Sequence, residues 1–140
     1  MEIKLCYKTY PFKISLAACK AFYDATGEDL QYILLKYIEA SMDTKGLALL
    51  PRTAAFLAVV KFEVAAQAIF ALVRTENKSI PLDEIRDGMF RVSWLPSDRT
   101  DELSEPWPMV MLGIAVQVNK YFEQNIPVKK KDTKALNQEN

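Results

Sequence analysis

The sequence predicts a mainly α-helical fold of four to five packed helices, with a short β-hairpin at the N-terminus. Three observations carry that expectation. Residues 53–74, TAAFLAVVKFEVAAQAIFALVR, are apolar nearly all round when wound as a helix. Only Lys61, Glu63 and Gln67 interrupt the stretch between Ala54 and Val73, and no Gly or Pro breaks it. Leu30, Ile33, Leu34, Tyr37 and Ile38 recur at helical spacing, as do Met111, Ile114, Ala115, Val118, Tyr121 and Phe122. Residues 2–7 instead alternate, with Ile3 and Leu5 against Glu2 and Lys4.

Each element follows from local signals. Residues 2–7 and 10–14 form the hairpin, and Pro11 keeps the second strand at an edge. A lone hairpin is marginal in water, so it must lean on the helices. Ser15 is the expected N-cap of a first helix with Leu16, Cys19, Phe22 and Tyr23 inward, stopped at Gly27. Thr26 and Asp29 have the spacing of a capping box for the second helix, the one with the stripe from Leu30 to Ile38. Residues 41–52 connect it to one central helix over 53–74, with Pro51 near the first turn.

After a polar loop at 75–79, a short helix starts near Pro81, with Ser79 as cap and Leu82, Ile85 and Met89 inward. Residues 93–108, with three prolines and two tryptophans, read as a loop. A last helix runs over 109–124. The division is one helical domain over 1–126 and a flexible polar tail over 127–140. Short loops predict that successive helices pack antiparallel.

A membrane span is the weaker reading of 53–74. Its longest unbroken apolar run is 54–60, whereas a span wants about 20 residues. A Lys near the bilayer centre would cost about 2.5–3.5 kcal/mol. The core reading leaves more apolar helical surface than a 140-residue domain needs for itself, so one face is expected to meet a partner chain.

Composition excludes several classes of chemistry. The formal net charge is zero, which argues against a general nucleic-acid binder. There is no histidine, so Ser-His-Asp and Cys-His sites cannot form within the chain, and the commonest general base is missing. Cys6 and Cys19 are too few for a zinc site or a disulfide framework. With four glycines there is no phosphate loop or dinucleotide fingerprint. The acidic residues from Asp98 to Glu105 lack the glycine and the alternation of a calcium loop. No enzyme activity, cofactor or metal is expected. The N-terminus lacks the apolar core of a signal peptide, so the expected compartment is cytoplasmic.

What remains is binding. Phe56, Val60 and Met111 are partner-binding candidates on the apolar helices, and Trp94 and Trp107 are candidates as aromatic anchors flanking the proline-rich loop. Lys129, Lys130 and Lys131 are candidates for a negatively charged partner. The same lysine run can be encoded by an unbroken run of adenines, on which the ribosome can slip.

The segment 12–30, FKISLAACKAFYDATGEDL, resembles tail assembly chaperones of long-tailed bacteriophages: a strand leading into a helix, an Ala-Thr-Gly break, then an acidic-capped helix. Members of that family are small and mostly helical. Many carry a slippery sequence near the 3′ end of the gene, giving a short product and a longer frameshifted one, and the lysine run lies where that signal would sit. The resemblance implies the short product of a programmed frameshift, acting in the host cell cytoplasm during viral morphogenesis. It would bind the tape-measure protein, keep it soluble and release it as tail tube protein polymerises. Self-association is expected, and neither nucleic acid nor membrane is expected as a partner. The family has no residue-level functional motif, so no site residue is carried over. A tail completion or connector protein of the virion, or a small protein that binds a host factor, fits the same composition.

Overall fold

A computed structural model describes residues 1–5, 8–91 and 107–125. It is mainly helical with an N-terminal hairpin, as expected, although the second strand is Lys8–Pro11 rather than 10–14. The described elements are β1 (Glu2–Leu5), β2 (Lys8–Pro11), α1 (Leu16–Thr26), α2 (Leu30–Asp43), α3 (Leu49–Val59), α4 (Phe62–Arg74), α5 (Leu82–Arg91) and α6 (Trp107–Asn125). The tail over 127–140 and most of the proline-rich loop lie outside the described residues.

The hairpin is antiparallel, with Ile3 opposite Tyr10 and Leu5 opposite Lys8. Ile3, Leu5 and Tyr10 are buried and their neighbours Glu2, Lys4 and Thr9 are exposed. That is the period-two pattern of a sheet with one face on a core. Helices α5 and α6 pack on β1 and supply the support that two strands alone lack. Gly88 of α5 sits where a Cβ would lie 3.2 Å from the Leu5 Cβ, so its missing side chain sets how closely α5 approaches β1.

The caps explain where α1 and α2 begin and end. Ser15 is extended, and its Oγ accepts from the Ala18 N–H at 3.1 Å. Gly27 closes α1 in the left-handed region at φ 75°, where its N–H donates to the Tyr23 carbonyl. The cap of α2 is Asp29 itself, whose carboxylate accepts from the Gln31 N–H at 3.0 Å. The Thr26–Asp29 capping box is therefore corrected: Thr26 belongs to α1, and its hydroxyl donates to the Phe22 carbonyl. The inward face of α1 also differs from expectation. Ala18 and Phe22 are buried and Cys19 is half-buried, whereas Leu16 and Tyr23 are 87% and 59% exposed.

The largest departure is the central run. Residues 53–74 are not one helix. Val60 and Lys61 are both extended, at φ −135°, ψ 129° and φ −81°, ψ 160°, and α3 and α4 meet at a bend of 79°. Packing gives the reason. Phe56 of α3 stacks on Tyr37 of α2, with ring centroids 5.5 Å apart. Helix α4 packs instead between α1 and α5. A straight helix could not serve both sets of neighbours, and the β-branched pair Val59–Val60 loses little by leaving the helix. Successive helices are accordingly not all antiparallel, and the chief neighbour of α1 is α4 rather than α2.

Helix α4 is the centre of the molecule. Ala65, Ala66, Ala68, Ile69, Ala71, Leu72 and Val73 are all buried, so most of its apolar surface is consumed by the fold, with Phe62, Val64 and Phe70 half-buried. Its alanines allow close approach of its neighbours. No single helix among the described residues is long and apolar enough to cross a membrane.

Candidate partner-binding surfaces

Helix α3 has the opposite surroundings to α4. Its only buried residue is Phe56. Leu50, Ala54, Leu57 and Ala58 fall at i, i+4, i+7 and i+8, a single stripe, and all four are exposed. Leu50 is 62% exposed and Leu57 44%, and the preceding Leu47 and Leu49 are exposed as well. This is a contiguous apolar face turned to solvent, the kind of patch that marks a protein or membrane contact rather than scattered surface leucines. The face carries no carboxylate. The chain has no acidic residue from Thr44 to Phe62, and Lys45 and Lys61 stand exposed at either end.

The inner side of α3 is held on α2 by few groups. Beyond the Tyr37–Phe56 stack, the Arg52 guanidinium donates to the Ser41 hydroxyl at 2.7 Å and lies 5.9 Å from the centre of the Phe56 ring. Three buried polar atoms in this layer, the Tyr37 hydroxyl, Arg52 Nε and Thr53 Oγ1, have no hydrogen-bond partner. Burial pushes the Tyr37 phenol well above its ordinary range. Unpaired buried polar groups each cost stability. The α2–α3 seam is thus less well satisfied than the buried face of α4, whose residues are all apolar.

A second surface is concave. Between α1 and α4 lies a half-open groove of about 400 Å³. Ala17, Ala21 and Ala25 form its α1 wall, one turn apart. Phe70 and Arg74 are on the α4 side, with Lys78 beyond the helix end. The Arg74 guanidinium lies 5.4 Å from the Phe70 ring centre.

The polar clusters read as surface structure. Arg86 of α5 donates to both carboxylate oxygens of Glu63 on α4 and also pairs with Asp83. Those hydrogen bonds hold the Glu63 carboxyl below the usual carboxylate range. Lys8 and the Tyr10 hydroxyl do the same for Glu84, at 2.8 and 2.7 Å, and so tie β2 to α5. Burial, with a smaller contribution from Asp29, pushes the Cys19 thiol up, away from the reactive thiolate. Among the described residues no group of three or more His, Cys, Asp or Glu side chains is placed to hold a metal ion.

The residues singled out in the sequence fall in two sets. Phe56, Val60, Trp107 and Met111 are buried at 0–3% exposure. They are packing residues: Phe56 against Tyr37, and Trp107 edge-on to Phe62 with centroids 5.7 Å apart. A partner docking on this surface would not touch them. Trp94, Lys129, Lys130 and Lys131 lie outside the described residues. The exposed face is carried by the neighbours Leu50, Leu57 and Ala58, one helical face away from Phe56. The signal that could have found them is the period within 47–59. Phe56, the bulkiest side chain there, takes the interior, and the stripe from Leu50 to Ala58 lies off its side of the helix. No family model, characterised protein or solved structure matches this chain.

Proposed function

We propose that this protein is a non-catalytic binding protein that shields an apolar helical client, of the tail assembly chaperone type, with the tape-measure protein as client. The supporting observation is α3, a helix whose apolar stripe faces solvent while Phe56 is its single buried residue. Such a face fits helix-on-helix recognition, in which leucines two turns apart, with a small alanine between them, pack into the grooves of a second apolar helix. The chaperone assignment rests on the resemblance of residues 12–30 and on the position of the lysine run.

The test is co-expression with a tape-measure protein, whose gene the resemblance places just downstream of this one. The wild-type chain is expected to raise the soluble yield of the tape measure, and the L50E/L57E variant to lose that effect while staying folded. No change in solubility with the wild-type chain would rule out the chaperone reading. A mass spectrum of the products of the native gene adds a second check. A minor product sharing residues 1 to about 130 and then diverging into another frame is the expected signature.

A further inference from the structure

The groove between α1 and α4 is built from other elements than the α3 face, so a role for it is independent of the chaperone reading. We infer that this groove is a docking slot for a partner's amphipathic helix that carries a carboxylate beside its apolar seam. Shape is the first support. The groove is half-open and has a volume of about 400 Å³. Its α1 wall runs two turns, from Ala17 to Ala25, or about 12 Å at 1.5 Å per residue, which matches two turns of a second helix. Methyl-sized walls let another helix approach closely, and Phe70 offers the large apolar contact against which a Leu or Met side chain would rest. Phe70 is one of the few large side chains of α4 that the fold leaves partly uncovered.

Charge then selects the partner. Arg74 and Lys78 line the groove, both are exposed, and neither is in an ion pair with a described residue. The one nearby carboxylate in the 74–78 turn, Glu76, does not line the groove. The charged groups that line the slot are therefore all cations. An incoming carboxylate would pair with the Arg74 guanidinium, whose planar fork donates to two oxygens at once. A basic helix would meet repulsion.

The test is a selection of random 16-residue peptides displayed against the whole protein, with counter-selection on an Ala21→Trp variant that fills the groove. Ala21 is exposed, so this variant is expected to keep the helical circular dichroism of the wild type. Sequences dependent on the groove are expected to share an apolar pair at i, i+4 with an Asp or Glu within one turn of it. One such peptide is then titrated by fluorescence anisotropy. Ala21→Trp should weaken it at least about tenfold, as expected for a central interface position. Arg74→Gln and Lys78→Gln should each weaken it about two- to fivefold, the range of an exposed charge pair, and added salt should weaken it further. The inference is overturned if no groove-dependent sequence is enriched, or if the enriched sequences lack acidic residues. It is also overturned if binding is lost in Leu57→Glu but kept in Ala21→Trp, which would place the site on α3, or if decanoate occupies the groove and no peptide displaces it.

Discussion

Helices α3 and α4 come from one apolar run in the sequence and have opposite fates in the fold. Helix α4 is surrounded, with seven of its residues buried. Helix α3 touches the core through Phe56 and presents leucines to water. Both lack a side-chain N-cap, since Ala48 and Lys61 occupy those positions without a capping hydrogen bond. The break between them is therefore set by what each half packs against, not by a local stop signal. Apolar composition measures how much surface a chain can bury. It does not say how much of that surface the chain buries against itself.

The comparison can be broken by mutation. The largest effect is expected at the single anchor of α3. Phe56→Ala should cost about 3–5 kcal/mol in urea denaturation, because it removes a fully buried ring stacked on Tyr37. Leucines then separate the two helices. Leu72→Ala in α4 should cost about 2–5 kcal/mol, whereas Leu57→Ala in α3 should stay within about 0.5 kcal/mol. Equal costs for the two leucines would mean that α3 is covered in solution, and the contrast would fail.

A smaller effect sharpens the point about caps. Ala48→Asp should stabilise the protein by about 0.5–1 kcal/mol, since the extended Ala48 backbone already has the N-cap conformation and lacks only the acceptor. A null result would show that the start of α3 is held by something other than its cap.

The smallest effect concerns the ion pairs that hold α5 against α4 and β2. Glu63 and Glu84 have folded-state values depressed below the ordinary carboxylate range by hydrogen bonds from Arg86 and from Lys8 and Tyr10. A depressed value contributes stability that is present above the ordinary carboxylate range and lost as pH falls through the folded values. The thermal stability of the wild type should therefore fall below about pH 4.5. The E63Q/E84Q double variant should show a shallower pH dependence. An identical pH profile in the variant would remove these carboxylates from the acid response.

Much of the fold was legible in the sequence because the relevant forces are local. The alternation of Ile3 and Leu5, the Ser15 cap, the left-handed Gly27 and the stripe from Leu30 to Ile38 are all short-range signals, and each has its expected place. The split at Val60 was not legible, because it is a tertiary choice made by Phe56 and Tyr37, which lie far apart in sequence. The same cause hides the binding surface. In an all-apolar helix the bulkiest side chain stands out, and Phe56 stands out because it fills the interior. Leu16 and Tyr23 depart from expectation in the converse way: Ala18 and Phe22 take the inward face of α1, which leaves Leu16 and Tyr23 outside. The α1–α4 groove had no sequence signal, since its walls come from segments about 50 residues apart.

The wet leucines of α3 have a calorimetric consequence. Heat capacity rises on unfolding because apolar groups become hydrated, by about 12–15 cal/mol/K per residue in ordinary domains. Leucines that are already hydrated in the native state add little to that change, so the increment of this protein should fall toward the low end of the range. The difference reappears when the surface is covered. Association through α3 should carry a negative heat-capacity change that scales with the leucine area removed from water, and titrations at several temperatures would read it directly.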